Sequence, residues 1–257
     1  MIINMTKIIL CGCNGFMGKV VSEICADDPG TEIVAGVDIN TAEPFGYPVY
    51  STIDACDVAA DCIIDFSHIS CVDSVIGYSV KTKTPLVLCT TGLSEEQIAA
   101  AHEAAKTTAV LKSANMSLGI NTLLELLKKA AQVFAPAGFD IEIIEKHHTR
   151  KLDAPSGTAL ALADAANEAL NNEYHYVYDR SQRHQKRDPK EIGISAIRGG
   201  NIVGEHDVIF AGMDETITFS HQATSRAVFG KGAVEAAKFL KDAAPGFYNM
   251  GDVIRAM

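Results

Sequence analysis

The residues best equipped for chemistry lie in one stretch, Glu142 to Ala159, which reads EIIEKHHTRKLDAPSGTA. His147 and His148 are adjacent, Lys151 follows, and Ser156-Gly157-Thr158 opens an alanine- and leucine-rich segment with helical spacing. Histidine titrates near neutral pH, so one of the pair suits a general acid while its neighbour contacts a ligand. Ser156 fits the N-cap of the helix that it precedes. The leading turn of a helix presents unpaired N–H groups and the positive end of the helix dipole, which favour a carboxylate or a phosphate. Lys151 would add a full positive charge. Together these residues describe an anion-binding pocket with a proton donor beside it.

A second constellation opens the chain. Lys7 to Cys11 is a short apolar strand, and Gly12-Cys13-Asn14-Gly15-Phe16-Met17-Gly18 follows it at once, ahead of a helical pattern through Val20, Val21 and Ile24. The spacing G-x-x-G-x-x-G permits a tight turn and close approach to a pyrophosphate, and the last glycine lets the helix pack on the strand. The next strand, Glu32 to Val37, ends at Asp38. That position is about twenty residues past the loop, where a dinucleotide fold sets an acid against the adenosine ribose hydroxyls.

Strand and helix patterns then alternate: a strand at Cys62 to Phe66, a helix from Ser70 to Val80, and strands at Leu86 to Cys89 and Ala109 to Leu111. Between the last two, Ser94 and Gln97 have capping-box spacing for another helix. This order predicts a mostly parallel, doubly wound sheet. Ligands of such sheets lie beyond the carboxyl ends of the strands, where Gly12 to Met17, Asp38, Thr90-Thr91 and Ser113 to Met116 would converge.

Composition narrows the function classes. With 257 residues, 47% of them hydrophobic, the chain can bury a sizeable core as one large domain or two modest ones. The formal charge of −10 argues against nucleic acid as a partner and requires a local basic site for any anionic substrate. The seven cysteines are odd in number and form no C-x-x-C pair, which fits buried reduced thiols rather than a metal site. MIINMTKIIL reads as a short lead into a strand rather than a signal peptide, and no apolar run approaches the ~20 residues that span a bilayer. The expectation is a cytoplasmic protein with no membrane contact and no metal.

Beyond residue 118 the pattern changes. A long apolar helix, Leu118 to Phe134, is broken by Ala135-Pro136-Ala137-Gly138, and the domain change is placed near its start. Asn171 to Pro189 is polar, and its basic cluster from Arg180 to Arg187 reads as a solvated loop able to fold over a substrate. Strands at Ile192 to Arg198, Ile202 to Ile209 and Thr216 to Ala223 follow in meander order, with Gly199-Gly200-Asn201 and Gly212 to Glu215 as turns. With Asp140 to Glu145 they predict an open sheet carrying one helix. His206 and His221, inside strands, read as structural. A last helix, Gly232 to Leu240, returns to the first domain and makes it discontinuous.

The string E-x-x-E-x-H-H-x-x-K-x-D-A-P-S-G-T-A, from Glu142 to Ala159, is similar to the signature of the dihydrodipicolinate reductase family of lysine biosynthesis. The resemblance implies an α/β protein. Its Rossmann-type dinucleotide-binding domain would span 1–118 and 229–257. A second α+β domain, 119–228, would bind substrate and assemble a homotetramer through its open mixed sheet. The implied reaction is the NADH- or NADPH-dependent reduction of a cyclic imine dicarboxylate across an interdomain cleft. His147 would be the general acid and Lys151 would neutralise charge or relay a proton, while His148, Ser156, Gly157 and Thr158 hold a carboxylate. The cofactor would be met by Gly12, Cys13, Asn14, Gly15, Phe16, Met17 and Asp38, and by Cys89, Thr90, Thr91, Ser113, Ala114, Asn115 and Met116. Arg198-Gly199-Gly200 and Val203-Gly204-Glu205-His206 resemble family positions near the second sheet. The family often follows its ribose acid with an arginine that accepts the 2′-phosphate of NADP. Here Ile39 follows, so NADH is expected to serve at least as well as NADPH. Rival readings are another NAD(P)H-dependent semialdehyde or imine reductase, or a non-catalytic nucleotide sensor; the absence of any cysteine in the second half disfavours the first.

Overall fold

The computed structural model describes residues 5–257, so the first four residues of the N-terminal lead lie outside the described residues. The chain forms two compact units. One runs to Leu118 and resumes over Ala227–Met257, and the other is Gly119–Arg226.

The first unit opens with β1 (Thr6–Cys11), α1 (Phe16–Asp27), β2 (Thr31–Val37), β3 (Val49–Tyr50) and β4 (Cys62–Asp65). It continues with α2 (Val72–Thr82), β5 (Leu86–Leu88), α3 (Glu95–Ala104) and β6 (Ala109–Leu111). The expected helix from Ser70 is a 3-10 turn at Ile69–Cys71 leading into α2. Ser94 and Gln97 cap α3 reciprocally. The strands β4, β5 and β6 are buried along their whole length, the unbroken apolar runs of a sheet covered on both faces. Successive residues of β1 confirm the two layers. Ile8 and Leu10 join one core cluster, while Ile9 and Cys11 join another with Val72, Val75 and Ile76 of α2.

The second unit contains all but the first residue of α4 (Leu118–Phe134), then β7 (Asp140–His147), α5 (Gly157–Glu168), β8 (His175–Val177), β9 (Glu191–Arg198), β10 (Gly204–Ala211) and β11 (Thr216–Ala223). Its sheet has the order β11-β10-β7-β9-β8, with β7 parallel to β9 and antiparallel to β10. The meander expected from the sequence is therefore corrected. β9 and β10 do not pair, and Gly199-Gly200-Asn201 begins a crossing over the end of β7 rather than a hairpin turn. That crossing is tied down by Gly199 N–H to His147 O at 2.9 Å and Thr149 N–H to Gly200 O at 3.2 Å. A glycine-rich link suits either geometry, and only the demand of β7 for a partner on each edge selects the crossover. Two helices share the core of this sheet where one was expected: Leu127 of α4 and Leu162 of α5 cluster with Ile143, Ile194 and Phe210.

The polar segment before β9 is more ordered than its composition suggests, and it contains β8, paired in parallel with β9. Arg187 is no solvated cation. Its N–H groups donate to Glu142, Asp140 and the carbonyls of Ile141, Asp188 and Glu191. Arg180 is paired with Glu191. These contacts anchor the basic segment to β7 and β9, so the two arginines brace the sheet.

The chain closes with α6 (Ala227–Leu240), β12 (Gly246–Tyr248) and α7 (Met250–Ala256). β12 completes a seven-stranded sheet of order β12-β6-β5-β4-β1-β2-β3, in which all the pairings are parallel. The reversal of winding between β1 and β4 is the point at which such sheets bind dinucleotides. α6 begins five residues earlier than the sequence suggested, and Gly230 and Gly232 are helical positions packed too closely for a side chain. A Cβ on Gly232 would fall 1.6 Å from Met116 O, and one on Gly230 would fall 2.9 Å from Ile24 Cδ1. Among the described residues no helix is long and apolar enough to cross a membrane. Gly232→Ala should destabilise the protein by about 3 kcal/mol, at the upper end of overpacking penalties, because a backbone carbonyl cannot move aside as a side chain can. Urea denaturation checks this; an unchanged midpoint would show that α6 can shift.

Candidate active site

The apolar face of β7 carries Ile141 and Ile143 into the core, and the same alternation turns Glu145 and His147 inward at the end of the strand. Glu145 has no exposed side-chain surface. Its Oε2 accepts from His147 Nδ1 at 2.6 Å and Arg198 Nη1 at 2.7 Å, and its Oε1 accepts from Arg198 Nη2 at 2.8 Å and Ser156 N–H at 2.9 Å. Burial alone would raise the carboxyl's pKa, but the bonds from Arg198, His147 and Ser156 outweigh it and hold the group below the usual range. Arg198 is opposite His147 in the parallel register of β7 and β9, and its Nη2 also donates to Asp153 O.

Ser156 caps α5 as its sequence suggested: its Oγ accepts the Ala159 N–H at 3.1 Å. The same Oγ lies 3.0 Å from His206 Nε2. His206 is opposite Glu145 in the β7–β10 register and meets the His147 ring edge-on at 5.2 Å between centroids. The backbone of Gly204 makes room for the His147 ring, since a Cβ there would sit 3.1 Å from Nε2. Lys151 Nζ pairs with Asp153 Oδ1 at 2.8 Å. The Asp153 carboxyl is held below its usual range, first by Lys151 and to a lesser degree by the Gly157 N–H. Desolvation pushes the His148 pKa down, and the charges of Arg150, Arg226, His147 and Lys151 push it further. A neutral imidazole among so many cationic groups marks a local positive field on a chain of charge −10. In this unit the structure thus brings His147 and Ser156 together through Glu145, and places His148, Lys151 and Gly157 on the loop and helix start beside them. Glu145, Arg198 and His206 were not singled out for this site. Their side chains meet through strand pairing, which no local pattern announces.

In the first unit a cavity of about 460 Å³ lies beyond the ends of β1, β2 and β4, lined by Gly12, Gly15, Asp38, Ser67 and His68 among others. Gly12 has φ +76°, and a Cβ there would fall 2.5 Å from Phe66 O, so only glycine fits. Gly15, the N-cap of α1, has no side chain to cap the helix, which suits an anion held by backbone amides. Asp38 is oriented by N–H bonds from Asn14 at 3.0 Å and Asn40 at 3.0 Å. These features fit the pyrophosphate and ribose of a dinucleotide. No lysine or arginine lines the cavity, and Ile39 is fully extended into solvent.

Other expected cofactor residues are placed differently. The Cys13 thiol lies in the core, its pKa raised to about 11 chiefly by burial, so only its backbone can face a ligand. Met116 is likewise a core side chain. The Asn14 amide donates to the carbonyls of Asn40 and Ala42 and so ties the glycine loop to the Asp38 segment. Phe16 is exposed and Met17 half-buried at the start of α1. Cys89, Thr90 and Thr91 follow β5, and Ser113, Ala114 and Asn115 follow β6; none lines this cavity. Thr90 Oγ1 donates to the buried Asp65 carboxylate at 2.7 Å, and Lys112 Nζ donates to Thr90 O at 3.3 Å, which fixes that loop from beneath. Among the described residues no group of three or more His, Cys, Asp or Glu side chains is arranged to hold a metal.

Comparison with known proteins decides the family. Residues 6–116 match the family description "Dihydrodipicolinate reductase, N-terminus", and residues 119–254 match "Dihydrodipicolinate reductase, C-terminus". The chain belongs to the dihydrodipicolinate reductase family. It is 53% identical over 251 residues to the 4-hydroxy-tetrahydrodipicolinate reductase of Caldanaerobacter subterraneus subsp. tengcongensis, covering 98% of this chain and 99% of the relative. It is 48% identical to the enzyme of the same name from Clostridium tetani, covering 96% of each. A solved dipicolinate-bound dihydrodipicolinate reductase from Paenisporosarcina sp. TG-14 shares the fold, with a TM-score of 0.80 at 21% identity over 95% of this chain and 97% of that one. As a dihydrodipicolinate reductase, the chain is an oxidoreductase that uses NADH or NADPH to reduce 4-hydroxy-tetrahydrodipicolinate in diaminopimelate and lysine biosynthesis.

The buried His206 generates a pH prediction. Desolvation chiefly, with the charge of His147, lowers its pKa from 6.5 to about 4. As pH falls below 6.5 the unfolded chain takes up a proton that the folded chain refuses, so stability is lost progressively and the loss is complete below about pH 4. The shift corresponds to roughly 3 kcal/mol. His206→Gln, which can keep a hydrogen bond to Ser156, should therefore lose less stability than the parent protein between pH 6.5 and 4. Parallel denaturant titrations across that range provide the check.

Proposed function

We propose that β7 and the start of α5 form the substrate site of the reduction. His147 acts there as general acid, and Lys151, His148 and the Ser156-Gly157-Thr158 segment grip the cyclic dicarboxylate. The observation that carries this reading is the joining of a histidine and a capped helix start by one buried carboxylate, Glu145, with Lys151 paired to Asp153 on the loop between them. The nicotinamide, when bound through the glycine loop, supplies a hydride, and the electron density arriving on the ring requires a proton. His147 Nε2 is the ring nitrogen not engaged by Glu145 and can deliver it. Lys151 must exchange its Asp153 partner for a substrate carboxylate, so its contribution is greater for the bound dianion than for the resting protein. Orientation of donor, acceptor and acid accounts for several kcal/mol of the barrier, within the ~7–11 kcal/mol available from such effects.

The same reading assigns nucleotide preference and assembly. Asp38 with no cation in its cavity suits ribose hydroxyls and repels a 2′-phosphate, so NADH serves at least as well as NADPH. The sheet face opposite α4 and α5 carries Ile144, Ile197 and Ile209, of which Ile197 is 47% exposed, beside a Lys146–Glu205–Asp207 cluster. That face is the basis for a homotetramer. Seven free thiols accord with a cytoplasmic setting.

Lys151→Ala should lower kcat and raise KM for the dicarboxylate, whereas His147→Ala should lower kcat by ~10²-fold or more with KM little changed. NADH oxidation followed by absorbance, with the aldol product of pyruvate and aspartate semialdehyde as substrate, measures both; near-native turnover by His147→Ala would remove it from the acid role. Comparing kcat/KM for the two nucleotides tests the second point, and a strong NADPH preference would refute it. Sedimentation equilibrium should give a tetramer that Ile197→Asp dissociates.

A further inference from the structure

We propose that Glu145 is a positioning residue of the reduction: it confines His147 to one tautomer, leaving Nε2 as the nitrogen that exchanges a proton, and couples that choice to the start of α5. The inference rests on the reading of His147 as the acid, and it deepens that reading.

The tautomer follows from counting donors. The two Glu145 oxygens have four neighbours: His147 Nδ1, two guanidinium nitrogens of Arg198 and the Ser156 N–H. The guanidinium and the amide can only donate, and an ionised carboxylate can only accept. The depressed pKa of Glu145 agrees that it has no proton to share. At 2.6 Å the contact to His147 must therefore be Nδ1–H donating to Oε2. In the neutral ring Nε2 is then a bare acceptor, ready to take up a proton and pass it on. The other groups packed on this ring are Arg198 from β9, which Glu145 neutralises, and His206 from β10, whose lowered pKa keeps it uncharged near neutral pH.

The second oxygen makes the device more than a dyad. By accepting the Ser156 N–H, Oε1 fixes the residue whose hydroxyl caps α5, and the Ser156 Oγ is met from the other side by His206. One rigid carboxylate thus registers the acid against the helix start proposed to hold the substrate. A displacement of either by a fraction of an ångström would be shared by both, which is how a group remote from the reacting atoms affects turnover.

The test is Glu145→Gln in the full chain. Its amide oxygen, in the place of Oε1, can keep the Ser156 bond and the Arg198 Nη2 bond, while the Nη1 bond is lost; its NH2 then faces His147 Nδ1 and forces that nitrogen to accept, switching the neutral ring to the Nε2–H tautomer. Nitrogen NMR of histidine-labelled protein, with His147 assigned by its loss in His147→Ala, should show Nδ1–H in the parent and Nε2–H in the variant. The kcat should fall about 10²-fold with KM for the dicarboxylate changed only a few-fold. In a His147→Ala background the same substitution should change kcat by less than about threefold, because the residue acts through the histidine. An unswitched tautomer, or losses that multiply in the double variant, would overturn the proposal. If Glu145→Gln does not fold, Glu145→Asp, one carbon shorter, should weaken the Nδ1–H contact, and an unaltered His147 spectrum would again overturn it. Near-native turnover by His147→Ala would instead strike the acid assignment itself, a separate failure from a tautomer that does not switch.

Discussion

A carboxylate with no exposed surface has to be neutralised where it sits, and the second unit is arranged to do this for Glu145. Its four donors come from β7 itself, from β9 and from the N-cap of α5. Removing one partner of such a buried pair commonly costs 3–5 kcal/mol, roughly as much as several ordinary surface contacts together. The pairing of β7 with β9 puts Arg198 within reach, and its pairing with β10 brings His206 opposite Glu145 and Gly204 beside the His147 ring. The strand order of the sheet and the composition of the site are thus one arrangement.

The two proposed sites rest on different physics. In the first, backbone does most of the work: a glycine loop that admits no Cβ, an uncapped helix start, and one aspartate oriented by two N–H bonds. The side chains in that loop serve the protein rather than a ligand, with Cys13 in the core and the Asn14 amide bonded to the Asp38 segment. In the second unit, charged side chains dominate. A chain with ten more acidic than basic groups gathers Arg150, Lys151, Arg198 and Arg226 near His147 and His148. Diffuse negative charge disfavours polyanions, while a concentrated positive patch is compatible with the small dicarboxylate proposed to bind there.

Much of this was legible before any coordinates. The strand–glycine loop–helix opening, the alternation of βα units and the serine cap of α5 are local, and each follows from residues near one another in the chain. Where the expectation erred, the cause was a distant partner. α6 starts at Ala227 rather than at Gly232, and the reason for glycine at 230 and 232 appears only when Ile24 and Met116 are seen to leave no room for a Cβ. Arg180 and Arg187 look like solvated loop cations until Glu191, Glu142 and Asp140 arrive across the sheet. His206 reads as structural from its place in a strand and is buried, but its position at the back of His147 and Ser156 depends on a strand register that the sequence does not encode locally.

The sequence by itself determined the chemistry available: two histidines and a lysine leading into a helix start, a glycine loop followed by an acid, and a family signature made of those residues. Tertiary structure decided how that chemistry is aimed. Inserting β7 between β9 and β10, instead of leaving those two strands as a hairpin, is what surrounds Glu145 with donors and thereby gives His147 a defined neighbour on Nδ1. The physical reason is that helix caps and turns are satisfied within a few residues, whereas a strand edge and a buried charge can be satisfied only by chain that folds back from far away.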